Sequence, residues 1–397
     1  MRGSQGHVLA HAGIYLVARG MPGIIAFLAV PIFSRLLDPA DYGRYALVVA
    51  AVDLLNALLY QWLRLSLVRF LPAYKGDPGR LQSTLATSAA LVTILLGAGA
   101  AALSMLPVGT AMRRILLMCA LVLPFQAVFE LCLDYSRSML RPWQYMGLCL
   151  TKALTAVVMG VTLVLLGAGW WGPPAGTALG MSLGIVYAWR RDWSRVVRLH
   201  LDRQILFKVC QYGLPLSVTV ALVNVVSSSD RFLIAGMMGQ DAAGHYSAGV
   251  DLISQTLTML MIVVNLAMFP LAVHAWEQQG PEAARDQMKC NGSLLFGVGV
   301  PCVVGLNVLA PGVAECFLGE SFRATAVSII PMVSLGAFLA GLKAYHFDAA
   351  FQLAHRTMYQ VWIVLSAAIV NVALNLLAIP RFGIAGAAGA SVIAYAF

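Results

Sequence analysis

The chain has 397 residues, of which 60% are hydrophobic and 11% charged, with a formal net charge of +9 at pH 7. Soluble domains carry roughly 25% charged residues, so this composition excludes an ordinary soluble protein and predicts an all-α polytopic membrane protein. The positive excess lies mostly in short segments between apolar runs, which reads as a membrane-orientation signal rather than a nucleic-acid surface.

Apolar runs of about 20 residues, the length that crosses a bilayer, recur along the chain. They predict spans near 9–33, 43–63, 82–105, 115–135, 145–167, 170–189, 211–236, 244–271, 292–314, 325–350 and 359–380. A twelfth begins at Gly383 and holds 15 residues before Phe397. That is short of a full crossing, so the expectation is a sequence cut short or an incomplete last span. The first run continues past Pro22 and Gly23 and is too long for a cleavable signal peptide. Lys and Arg divide 16 to 6 in favour of the side that holds the amino terminus and the loops after even-numbered spans. The amino terminus is therefore expected in the cytoplasm. The seven Cys show no C-x-x-C spacing and read as small packing residues in or beside spans.

Two segments echo each other. Ser34–Ala46 reads SRLLDPADYGRYA and Ala235–Ser247 reads AGMMGQDAAGHYS, with Gly43 and Tyr45 falling 201 positions before Gly244 and Tyr246. A second echo pairs Pro174-Ala-Gly-Thr-Ala with Ile384-Ala-Gly-Ala-Ala, while Val52-Asp-Leu matches Val250-Asp-Leu at a spacing of 198. Six spans precede the basic stretch Arg190–Lys208 and about six follow it. This predicts two parallel repeats of six helices around a central cavity, with a first lobe over 1–189, a cytoplasmic connector over 190–208 and a second lobe over 209–397. The paired G-x-Y segments are expected as matching turns between helices.

Charge within hydrocarbon costs about 2.5–3.5 kcal/mol per residue on insertion scales, so its placement is informative. Spans 3, 6, 9 and 11 hold essentially none. In span 2, Asp53, Asn56, Tyr60 and Arg64 share one helical face, and in span 4 Gln126, Glu130, Asp134, Arg137 and Arg141 share another. Asn224, Ser227, Ser228 and Arg231 in span 7, and Ser247, Asp251, Ser254, Gln255 and Thr258 in span 8, complete four polar stripes. Any one such residue can be read as polar packing. Four stripes together predict a shared water-filled cavity.

Arg19 lies near the middle of span 1, just before Gly20, Pro22 and Gly23. It suits either a carboxylate partner such as Asp53 or the oxygens of a phosphate. Asp230 and Arg231 point about 100° apart on a helix and so do not simply neutralise each other. Lys152 and Lys343 are further cavity cations, with His346 one turn from Lys343. Asp53, Glu130, Asp134, Asp230, Asp251 and Asp348 are candidates for coupling to protons or sodium ions, with Asn56, Asn224 and Gln255 as polar companions. No metal site and no further cofactor are expected. P-loop and H-E-x-x-H patterns are absent, and no catalytic residue is predicted.

The motifs R-L-L-D-P-A-D-Y-G-R-Y at 35–45, R-F-L-P at 69–72, Y-G-L-P at 212–215, D-R-F-L-I at 230–234, and G-I-A-G-A-A-G-A-S at 383–391 are carried in order along the chain. Together with Gly239, Gly244 and Tyr246 they resemble the bacterial polysaccharide-biosynthesis flippases of the multidrug/oligosaccharidyl-lipid/polysaccharide exporter superfamily. The resemblance implies two six-helix lobes working by alternating access in the bacterial inner membrane. It implies undecaprenyl-pyrophosphate-linked oligosaccharide as cargo, for O-antigen or exopolysaccharide, alongside other polysaccharide assembly proteins. Arg19, Arg231 and Lys343 would fit the role of cavity cations by position, with Arg64 and Lys152 beside them. A lipid II flippase or a cation-coupled multidrug exporter of the same fold is the alternative reading, and a membrane glycan polymerase or glycosyltransferase a more distant one.

Overall fold

Long runs of Leu, Val and Ala have no water to satisfy their backbone in a bilayer, so they close their hydrogen bonds within helices. The computed structural model describes residues 20–74, 76, 78–105, 109–193, 200–354 and 357–397, and its regular elements there are all helical. In chain order they are α1 (Gly20–Leu36), α2 (Pro39–Leu59), α3 (Gln61–Phe70), α4 (Pro78–Met105), α5 (Thr110–Ser138), α6 (Pro142–Leu163), α7 (Gly172–Ala188), α8 (Arg203–Met238), α9 (Gln240–Ile253), α10 (Met259–Gln279), α11 (Pro281–Val308), α12 (Ala310–Phe317), α13 (Glu320–Leu342), α14 (Asp348–Leu353) and α15 (Thr357–Ala396). Proline opens α2, α4, α6 and α11, where its fixed φ suits the first turn and its missing N–H costs nothing. Asp202 caps α8 by accepting the backbone N–H groups of Gln204 at 3.0 Å and Ile205 at 3.3 Å.

Nine stretches of helix among the described residues are long and apolar enough to cross a membrane. Two of them double back. Gly167 (φ 89°) separates α6 from α7, and Gly383 (φ 60°) divides α15, each in a left-handed conformation open to glycine. With the shorter apolar α1, the helices follow the order of spans expected from the sequence. Some borders differ for local reasons. The second span breaks at Tyr60 (φ −126°), where the Trp62 indole N–H donates to the Leu59 carbonyl at 2.8 Å, and continues as α3. The ninth ends at Val308 rather than 314. Pro311, inside the first turn of α12, cannot donate back to the preceding turn.

The chain forms two compact units, one of residues up to Ile25 with Leu47–Asn224, the other of Ala26–Ala46 with Val225–Phe397. In the first unit α7 carries glycine at every fourth position, Gly172, Gly176, Gly180 and Gly184. A Cβ on Gly176 would stand 2.7 Å from the Ala156 carbonyl oxygen, and one on Gly180 2.7 Å from that of Lys152. The stripe lets α7 lie backbone-to-backbone on α6, as small residues do between membrane helices.

In the second unit the first turns of α2 cross those of α9. The echoed glycines are not in turns, as the sequence suggested, but one turn inside these helices. A Cβ on Gly43 would strike the Gln240 carbonyl and lie 2.9 Å from Gly244 N, and a Cβ on Gly244 would strike the Pro39 carbonyl and lie 2.9 Å from Gly43 N. The contact is reciprocal, position for position. Around it pack Ala243, Tyr246, Ile329, Ile379 and Ala387, all buried. The end of α1 closes the unit, with Ser34 Oγ accepting Gly319 N–H at 3.1 Å and the Arg35 guanidinium donating to the Cys316 carbonyl at 2.6 Å.

Candidate functional site

The helical spacing of the first two polar stripes places them face to face within the first unit. Arg64 of α3 binds the Glu130 carboxylate and donates from Nε to Asp134 at 2.9 Å, and Arg137 reaches the other oxygen of Asp134 at 2.9 Å. Asn56 of α2 donates to Glu130 at 2.7 Å, and Gln126 of α5 donates to Asp53 at 2.9 Å and to Glu130 at 3.3 Å. Three carboxylates and two guanidiniums thus form one network, which offsets their desolvation because each member is ion-paired or hydrogen-bonded. Lys152 of α6 stands apart. Its ammonium lies 5.5 Å from the centre of the Phe129 ring and forms no ion pair among the described residues.

The second unit holds two adjacent carboxylate sites with different surroundings. Arg231 of α8 pairs with Asp251 of α9 at 2.6 Å, and the Tyr42 hydroxyl donates to the same carboxylate at 3.0 Å. Asp230, 3% exposed, has only neutral donors within hydrogen-bond reach among the described residues. These are the Tyr246 hydroxyl at 2.7 Å, the Asn375 amide at 2.7 Å and the Ser391 hydroxyl. Behind them Asn371 accepts from Ser229 at 2.8 Å, while Asn375 Oδ1 is buried without a hydrogen-bond partner among the described residues. A carboxylate oxygen, amide oxygens and hydroxyls are hard ligands of the kind that hold small cations. No group of three or more His, Cys, Asp or Glu among the described residues is arranged to hold a metal ion.

The remaining predicted residues are more dispersed. Lys343, in a π-helical turn over 343–347, binds Asp348 at 2.8 Å. Gln255 lies in another π-helical turn, 254–258, half-buried. Asn224, at the end of the first unit, donates back to the Val220 carbonyl at 3.0 Å. Arg19 lies outside the described residues. The sequence reading missed Tyr42, Asn371, Asn375 and Ser391, because it weighed charge in the spans and took span 11 as an apolar helix. The spacing of Asn371 and Asn375, one helical turn apart on a single face, was the available signal.

Comparison with known proteins agrees with this architecture. No curated protein sequence matches. Among solved structures, a lipid II flippase, MurJ, in an inward closed conformation aligns with a TM-score of 0.77 at 12% identity, over 96% of this chain and 85% of that one. An inward-facing MATE multidrug-resistance transporter of the MOP superfamily gives a TM-score of 0.70 at 16% identity, over 97% and 96%. A MOP superfamily transporter from Pyrococcus furiosus, described as having a binding pocket of reversed polarity, gives 0.65 at 16% identity, over 96% and 93%. At these identities the likeness shows the fold, that of MOP membrane transporters. The sequence itself matches the family described as polysaccharide biosynthesis protein over residues 32–327, and the chain belongs to that family.

Proposed function

We propose that the protein is a flippase that carries undecaprenyl-pyrophosphate-linked oligosaccharide repeat units, for O-antigen or exopolysaccharide, across the bacterial inner membrane by alternating access, with its amino terminus in the cytoplasm. Family membership supports the cargo class. The observation that carries the transport reading is Asp230, a carboxylate buried in a membrane helix with neutral donors around it and the idle Asn375 oxygen beside it. Such a group is too costly to keep for packing alone and marks an ion or proton path by default. In this reading Asp230 takes up a proton or a sodium ion during the cycle.

The other predicted residues fit a division of labour. Arg64, Arg231 and Lys343 are held by carboxylates. Protonation of Glu130, Asp134, Asp251 or Asp348 would release them to the oxygens of an anionic head group, while Lys152 already lacks a carboxylate partner among the described residues. Arg19 would join them, and Asp53, Asn56, Asn224 and Gln255 would line the polar path. A strain lacking the gene is expected to lose surface glycan while the lipid-linked precursor accumulates on the cytoplasmic side. Asp230→Asn is expected to do the same at normal protein levels. Full export by Asp230→Asn would sink the coupling role. The likeness to MurJ favours one second reading, a lipid II flippase, for which depletion would arrest cell-wall synthesis and leave surface glycan intact.

A further inference from the structure

The first unit carries an apolar groove that none of this transport chemistry uses. It lies between α4, α5 and the last turns that follow α7, with a volume of about 490 Å³. Its origin is local. Pro124 interrupts the hydrogen-bond ladder inside α5, and α4 presents the small Ala86, Ala89 and Ala90 opposite, with Thr93 and Ile94 a turn further on. The floor is buried Leu131, Cys132 and Trp193, while Ile94 and Trp189 at the rim are exposed. The groove is therefore reachable from the helix surface that meets lipid. Its volume falls within the range of small-ligand pockets, roughly 300–1,000 Å³.

The turn at one end of the groove carries polar groups, with Trp189 and Trp193 on the groove side and Arg190 and Arg191 on a neighbouring face beside Leu183, Val186 and Tyr187. Trp189–Trp193 forms a π-helical turn in which the two indoles stack at 6.1 Å. Trp193 is 2% exposed, yet its indole N–H finds no acceptor among the described residues. In the same turn, Asp192 is neutralised by Arg141 and accepts a hydrogen bond from the Gln144 amide. Arg190 and Arg191 are exposed and meet no carboxylate among the described residues, Arg191 donating only to the Tyr187 hydroxyl at 3.1 Å. Helix ends gather here as well, with Arg80 bound to Asp202 at 2.8 Å and Gln82 donating to the Asp192 carbonyl at 3.3 Å. This is the composition of a membrane–water boundary, with Trp at headgroup level and basic residues just beyond. Basic pockets between membrane helices bind anionic lipid head groups.

We infer that this groove is a binding site for an anionic glycerophospholipid. One acyl chain lies along Ala90, Ile94 and Val128, the Trp193 N–H donates to an ester carbonyl, and Arg190 and Arg191 hold the head-group phosphate. The test uses the full-length protein in phosphatidylcholine vesicles doped with phosphatidylglycerol or phosphatidylcholine brominated on the acyl chains, which quench nearby tryptophan. The signal of the groove is the part of the emission lost in Trp189→Phe/Trp193→Phe. Brominated phosphatidylglycerol is expected to quench it more than brominated phosphatidylcholine. Arg190→Gln/Arg191→Gln should level the two, and Ala90→Phe, which fills the groove, should weaken quenching by phosphatidylglycerol with both arginines in place. Equal quenching by the two lipids in the wild type overturns the inference. So does an unchanged preference in the arginine variant, or displacement by a polyisoprenyl phosphate but not by unbrominated phosphatidylglycerol.

Discussion

At the scale of residues, the network around Arg64 shows how membrane charge is kept. Arg64 joins two acids and stays mostly buried, with a side chain 22% exposed. Its replacement by Met leaves Glu130 and Asp134 without their shared cation. Arg64→Met is therefore expected to destabilise by about 3–5 kcal/mol, read as a lowered Tm in detergent, with part of the loss recovered in Arg64→Met/Glu130→Gln. Outside the spans, Asp202 offers a pH test. The backbone N–H of Ile205, with Arg80 and Gln204, holds its carboxyl below the ordinary range. A depressed folded value means stability that is present above the unfolded value, about 3.9, and lost as pH falls through the folded one. Asp202→Asn should melt below wild type at pH 7, and the two curves should converge in acid; a gap that persists there would count against the charge as its source. These partners were only half legible beforehand. Stripe spacing placed Asp53, Arg64, Glu130 and Asp134 on faces, but which faces meet depends on how helices rotate against each other. The neutral groups around Asp230 carry no charge to draw the eye.

At the scale of elements, close helix approach rests on glycine where a Cβ has nowhere to go. Gly43→Ala or Gly244→Ala would place a methyl against backbone, which cannot move aside as a side chain can. Each is expected to cost at least about 1–3 kcal/mol. Gly147 in α6 is the contrast, exposed with nothing within 4 Å of its built Cβ. Gly147→Ala should stabilise by roughly 0.5–1 kcal/mol through helix propensity alone. Thermal melts of the three variants side by side check both signs. The order of the helices was readable from apolar length, and the doubling back at Gly383 from the echo with Pro174-Ala-Gly-Thr-Ala. The break at Tyr60 was not, because no proline or glycine marks it.

At the scale of the molecule, the fold and the family agree on a membrane transporter of polysaccharide biosynthesis, and the energy source is what a measurement can add. Under the proposal that Asp230 binds a cation, ligand linkage raises the melting temperature with the concentration of that ion. Wild-type protein is expected to gain stability when sodium replaces potassium at constant ionic strength, and Asp230→Asn is expected to show no gain. A wild type indifferent to sodium assigns the cycle to protons. Composition and charge bias were enough to identify the class of molecule. The coupling ion was not readable, since one buried carboxylate can serve a proton or a metal and the difference lies in oxygens from three separate helices.

The reciprocal crossing of α2 and α9 has a consequence for inheritance. Because position 43 rests on the segment that contains position 244, and the reverse, the two codons answer to a single steric constraint, as they would in a symmetric dimer whose subunits had been fused. Compensation between them is closed off, since enlarging one glycine cannot be relieved by shrinking the other. Each of the two echoing segments thereby limits how large a residue the other can carry at this crossing.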